Sequence, residues 1–197
     1  MRTRLSFRDP AFLLGAVTLL VFGGGGMLLM HHVQGRSLDA TLFIPLGMGW
    51  GLAAGVAYGA VVGAVALGWL HLPFMHEVRE RYALRLRPLL PGKLGRWWLS
   101  ACAGVGEELF FRGALQHWLG IPWTAVLFVA IHGYLDPRDL RLSSYGALMT
   151  LAMVGMGALA DGMGLLPAMV AHAVVDVILL DQLGRSTPSQ DLPDHSD

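Results

Sequence analysis

Six apolar stretches follow one another along the 197 residues, at about 11–31, 42–70, 97–118, 121–135, 143–160 and 164–183. A helix rises about 1.5 Å per residue, so each stretch approaches the length that crosses roughly 30 Å of hydrocarbon. This repetition predicts an all-α fold: a polytopic membrane helical bundle of about six transmembrane helices. Composition agrees, with 54% of residues hydrophobic, 14% charged and a mean hydropathy of +0.54, well outside ordinary soluble usage. The reading is a single integral-membrane domain over 1–197, with a core at 97–183 and a polar, proline-containing tail at 184–197 that is expected to be disordered. The second stretch is long and glycine-rich and is expected to tilt or bend to fit the bilayer.

Charge sets the orientation. With the N-terminus inside, Arg2, Arg4, Arg8, Arg79, Arg81, Arg85, Arg87, Lys93, Arg96, Arg138, Arg141 and Arg185 all fall on the cytoplasmic side. Only Arg36 falls outside, and Arg112 lies within a span. Basic residues gather in cytoplasmic loops, so both termini are expected to be cytoplasmic. Residues 73–96 alternate basic and apolar residues, which fits either an amphipathic segment on the anionic inner leaflet or a solvated basic loop. The net charge of zero and the absence of a phosphate-cradling glycine loop argue against a nucleic-acid partner. The single cysteine, Cys102, cannot form an internal disulfide.

The third stretch contains "GVGEELFFRG", residues 104–113. Glu107 and Glu108 lie about ten residues from either end of that span, near the bilayer midplane. An ionisable side chain there costs roughly 2.5–3.5 kcal/mol on insertion scales, so such groups face a bundle interior or a wet cavity and pair with something. Glu108 and Arg112 are four apart, within reach of an ion pair. Glu107 is turned about 100° from Glu108, so the two carboxylates point in different directions. One can be structural while the other does chemistry. His132 in the fourth stretch, and His172 with Asp176 in the sixth, fall at a similar depth. Each group alone has a structural explanation as interhelical hydrogen-bonding; their convergence favours a site. Cys102 and Ser100 have no adjacent base, which disfavours a nucleophilic mechanism.

Three patterns thus stand in order on separate spans: E-E-x-x-x-R at Glu107, Glu108 and Arg112, F-x-x-x-H at Phe128 and His132, and H-x-x-x-D at His172 and Asp176. Together they resemble the motifs of the CAAX protease and bacteriocin-processing family of intramembrane endopeptidases. That family includes the type II CAAX prenyl endopeptidase and bacterial abortive-infection, lysostaphin-resistance-like and bacteriocin-immunity proteins. The resemblance covers roughly residues 97–183. It implies hydrolysis of a peptide bond in a membrane-embedded or membrane-proximal substrate by an activated water, in CAAX-type or bacteriocin processing. It also implies a multi-pass location, expected here to be the bacterial cytoplasmic membrane.

Under that resemblance Glu107 is the expected general base, with the exchanged roles of Glu107 and Glu108 as the alternative. His132 would hold the water, and His172 would donate to the oxyanion or the leaving amine. Where the family permits asparagine or aspartate, this chain has Asp176, which when ionised can only accept hydrogen bonds. A zinc-like divalent metal on Glu107, His132 and His172 is the second open question, since no H-E-x-x-H is present. Two other functions compete: a non-catalytic immunity or scaffold protein, and a proton- or ion-handling protein. The sequence leaves substrate and oligomeric state open.

Overall fold

The computed structural model describes residues 9–42, 47–86 and 92–185, all of whose regular structure is helical. Arg2, Arg4, Arg8 and Arg87 lie outside the described residues. The elements are α1 (Pro10–Val33), α2 (Leu38–Leu42), α3 (Met48–Leu70) and α4 (His76–Leu86). They continue with the long segment Lys93–Ile131, then α7 (Leu140–Met163) and α8 (Leu165–Arg185). Because α8 runs to Arg185, the remainder of the expected disordered tail, 186–197, lies outside the described residues. Among the described residues, five helices are long and apolar enough to cross a membrane. Large apolar side chains such as Leu20 and Leu151, 73% and 72% exposed, point away from the bundle as lipid-facing residues do. The protein is an integral, multi-pass membrane protein.

The 39-residue segment Lys93–Ile131 is two antiparallel arms, which we number α5 (93–119) and α6 (121–131). Gly120 has φ 71° and ψ 171°, a conformation that favours glycine, and Pro122 lacks the amide hydrogen a continuing ladder would need. In a straight helix Phe111 and Phe128 would be about 25 Å apart. Their ring centroids are 4.9 Å apart, so the chain doubles back, and residues equidistant from Gly120 meet. This recovers the expected third and fourth spans, with one correction. The fourth is helical only to Ile131, not to 135, because Gly133 takes φ 75° and the chain leaves the helix there. Eleven residues make about 17 Å of helix, short of the roughly 30 Å of a full span. His132 stands at its C-terminal tip.

The glycines of α3 pack the helix; α3 runs unbroken. Gly51, Gly55, Gly59 and Gly63 are buried at intervals of four, on one face. A Cβ at Gly55 would lie 2.5 Å from the Pro167 carbonyl oxygen, and one at Gly59 would lie 2.5 Å from that of Ala171. The stripe therefore lets the α3 and α8 backbones approach closely, as small residues do in membrane helix pairs. On its other side α8 is met by α5 at Gly104, where a Cβ would sit 2.6 Å from the Met169 carbonyl oxygen and 3.0 Å from the Ala173 Cβ. Gly104 precedes Glu108 by one turn and Ala173 adjoins His172, so this contact sets the distance between the two motifs. Replacing Gly104 by valine is expected to force α5 from α8, at about 1–3 kcal/mol for overpacking. Reduced thermal stability in detergent together with lost function is the expected readout.

At one end of the bundle, Trp98 Nε1 donates to the Phe12 carbonyl at 3.2 Å and Arg96 pairs with Asp181 at 2.9 Å. Trp98 stacks on Phe12 with centroids 5.2 Å apart, so it joins α1 to α5. Of the basic segment expected at 73–96, His76–Leu86 form α4 at this same end, and 87–91 lie outside the described residues. Its Val78 is 2% exposed, while Arg81 pairs with Asp139 at 2.5 Å and Arg141 with Glu77 at 2.8 Å. At the opposite end, Gln34 Nε2 donates to the Ala114 carbonyl at 2.9 Å and Arg36 Nη1 to that of Gly113 at 2.7 Å. These carbonyls belong to a π-helical stretch, Leu109–Leu115, whose wider winding displaces the usual helix ladder. The one basic residue predicted on the outer side thus has a local task.

Candidate active site

Helical winding separates the two glutamates as their spacing predicts. Glu108 is fully buried between helices. Its Oε1 lies 3.1 Å from Arg112 Nη1 and accepts from His172 Nδ1 at 2.8 Å. The 3.1 Å contact is electrostatic, since Arg112 Nη1 lacks the direction for a hydrogen bond. Arg112 also places Nη2 2.9 Å from the Met153 sulfur and its guanidinium 4.8 Å above the Phe128 ring, a cation–π arrangement. Glu108, Arg112 and His172 thus form one buried unit.

Glu107 faces a cavity of about 360 Å³ whose lining is chiefly apolar but includes His132, His172, Asp176, Tyr134 and Tyr145. Across the hairpin, His132 Nε2 is 3.5 Å from Glu107 Oε2. That separation is in ion-pair range but longer than a direct hydrogen bond, and Glu107 Oε2 is a buried oxygen with no hydrogen-bond partner among the described residues. Such an atom on a cavity wall is a place for water or substrate. His132 Nδ1 bonds the Phe128 carbonyl at 2.7 Å. A carbonyl only accepts, so Nδ1 carries the hydrogen and a neutral ring presents the Nε2 lone pair to Glu107. His172 is fixed likewise, with Nδ1 donating to Glu108 and Nε2 turned to Asp176 at 3.8 Å, too far for a hydrogen bond.

All six expected residues therefore gather at one place, in two layers. Glu107, His132, His172 and Asp176 line the cavity, while Glu108 and Arg112 lie behind them. Phe128, the first residue of the F-x-x-x-H pattern, stacks on His132 at 4.4 Å and meets His172 edge-on at 5.6 Å. Several further neighbours were not anticipated. Tyr145, Met149 and Met153 line the cavity from α7; their i, i+4, i+8 spacing is the sequence signal that could have found them. Tyr134, stacked against His132 at 6.0 Å, comes from the loop after α6 and carries no such signal.

The two Nδ1 bonds are those typical of metal-ligating histidines. Among the described residues, however, no three His, Cys, Asp or Glu side chains stand close enough to hold a metal ion. The side chains as arranged do not fit a three-ligand ion on Glu107, His132 and His172, and no step below is routed through one.

A carboxylate–histidine cluster thus faces a cavity inside the helical bundle of a multi-pass membrane protein. Residues 93–178 match the family described as type II CAAX prenyl endopeptidase Rce1-like. This match contains all three motifs, and over these residues the chain is similar to that family of endopeptidases. No curated protein and no solved structure matches the chain.

Proposed function

We propose that this protein hydrolyses a peptide bond of a membrane-anchored substrate with a water activated between Glu107 and His132. The observation that carries the proposal is the hairpin at Gly120, which sets an unpartnered Glu107 oxygen 3.5 Å from His132 Nε2 on a cavity wall. A water there can donate one hydrogen to the Glu107 carboxylate and one to the Nε2 lone pair. Glu107 removes a proton as the water oxygen bonds to the scissile carbonyl carbon. His172, held by Glu108, presents Nε2 to the same chamber and stabilises the oxyanion when it carries a hydrogen. Collapse breaks the C–N bond, and the proton on Glu107 passes to the leaving amine, giving a free acid and a free amine.

Asp176, on the same cavity wall, is placed as an acceptor for the leaving amine and as a charge 3.8 Å from His172 Nε2. Glu108, charge-balanced by Arg112 on the same helix, keeps the α5–α8 contact in register through its hydrogen bond from His172. The basic residues Arg79, Arg81, Arg85, Arg96 and Arg138 at the α4 end of the bundle support a cytoplasmic placing of that end and of both termini. The substrate therefore enters from the inner leaflet.

The test is to compare membrane peptides in cells carrying the native protein or Glu107→Gln, which keeps the side-chain shape and removes the base. A precursor accumulating in the variant names the substrate. Identical peptide profiles would overturn the proposal. Purified protein assayed before and after chelation tests the metal separately: activity is expected to persist, and a loss restored by zinc would require a different arrangement of the two histidines.

A further inference from the structure

The reaction proposed above places charge on the scissile carbonyl oxygen, and few groups in the cavity can donate to it. Glu107 and Asp176 as carboxylates only accept. His132 Nε2 takes a hydrogen from the water, and the hydrogen of its own ring is held at Nδ1 by the Phe128 carbonyl. Neutral His172 likewise directs its one N–H to Glu108 through Nδ1 at 2.8 Å, so its Nε2 carries a hydrogen only in the imidazolium form.

Two buried tyrosines hold the missing hydrogen. Tyr134 and Tyr145 both line this cavity, and among the described residues neither hydroxyl has a hydrogen-bond partner. The Tyr58 hydroxyl, by contrast, donates to the Ala152 carbonyl at 2.7 Å, as a buried phenol ordinarily does. A phenol left open on a cavity wall is a donor for what enters. Tyr134 is the better placed of the two. Its ring lies 6.0 Å from the His132 ring and only 24° from parallel to it, so it flanks the imidazole that takes the water. Tyr145 meets it edge-on at 5.4 Å and Tyr82 at 5.9 Å. Its backbone is pinned as well: the Tyr134 N–H donates to the Val129 carbonyl at 3.3 Å, and a Cβ at Gly146 of α7 would overlap the Tyr134 carbonyl oxygen. A loop residue held in this way is preorganised. Burial above all, then the Asp176, Tyr82 and Glu107 side chains, raises its phenol above the ordinary range, so both cavity carboxylates stand within electrostatic reach of the hydroxyl.

We propose that the Tyr134 hydroxyl donates a hydrogen bond to the scissile carbonyl oxygen as the water adds to its carbon, which makes Tyr134 a further catalytic residue. This rests on the peptidase reading above. The hydrogen stays on the phenol oxygen throughout. It stabilises the oxyanion without being transferred, and the bond weakens again when the carbonyl re-forms and the C–N bond breaks. Because the donor is a neutral group, it acts whether or not His172 carries a second hydrogen.

The test uses the full chain in phosphatidylcholine vesicles with one membrane-anchored peptide and its phosphonamidate analogue, whose tetrahedral phosphorus carries the charged oxygen the intermediate would have. Tyr134→Phe keeps the ring beside His132 and removes only the hydroxyl. Its kcat is expected to fall ~10²–10³-fold, the effect of deleting one oxyanion donor, with KM nearly unchanged. Affinity for the phosphonamidate is expected to fall by a similar factor. Native kcat in Tyr134→Phe would overturn the proposal; if Tyr134→Leu were then slow, the ring would be what matters, as a support for His132. A slowed Tyr134→Phe that binds the phosphonamidate as tightly as the native protein would overturn it too. If the native protein leaves the peptide intact, the peptidase reading fails with this substrate, and the phosphonamidate affinities of native and Tyr134→Phe protein still decide the donor.

Discussion

Glu107→Gln is expected to lower kcat by at least ~10²–10⁴-fold, the range that positioned proton transfer contributes, while leaving the folded protein intact. Glu107 lies on the cavity wall without a hydrogen-bond partner, so the amide loses no structural bond. His132→Gln is expected to fall in the same range, because both groups touch the same water. The two act as a unit, and the double variant is therefore expected to be little worse than either single one. Kinetics on an anchored peptide, with melting temperature measured in parallel, distinguish this from unfolding. Two independent losses that multiplied would contradict a shared water.

A different outcome is expected behind the cavity. Arg112→Ala leaves Glu108 as a fully buried carboxylate whose remaining partner is His172, and breaking one side of a buried ion pair costs about 3–5 kcal/mol. The guanidinium contact to Phe128 and the Met153 sulfur is lost as well. Arg112→Ala is expected to be poorly folded at ordinary temperature. Lysine should rescue only partly, because it cannot reproduce the planar contact. Chemical unfolding of the purified variant in detergent measures the loss. A stability equal to that of the native protein would show that Arg112 is not needed to keep Glu108 buried against His172.

These two residues also show what the sequence makes legible. The 100° between adjacent helical positions separates Glu107 from Glu108 whatever the tertiary fold, so one facing the cavity and one facing protein follows from position alone. The four-residue spacing of Glu108 and Arg112 likewise needs only a helical backbone, and it survives even though Arg112 lies in a π-helical stretch. Depth from hydropathy brings His132 and His172 to the right level. What it misses is how His132 arrives there. The positive φ of Gly120 turns one apolar run into a hairpin, and that of Gly133 ends α6 below full span length; neither angle leaves a trace in hydropathy.

Packing is the other hidden layer. The Gly51, Gly55, Gly59 and Gly63 stripe reads equally as a flexible segment or a contact face, and only the α8 carbonyls against it decide for contact. Arg36 looks like an exception to the charge bias because its partner, the Gly113 carbonyl, is 77 residues away in sequence. The α4 helix pairs with Asp139 and Arg141 across the mouth of the site, a placement that no local pattern specifies.

The most direct measurement is cleavage of a membrane-anchored peptide by the purified full chain in vesicles made up in H₂¹⁸O, read by mass spectrometry. The predicted result is two fragments, one ¹⁸O in the new carboxyl group of the first, and neither fragment with Glu107→Gln. An intact peptide with the native protein, or undiminished cleavage by Glu107→Gln, would contradict a water activated at the Glu107–His132 pair.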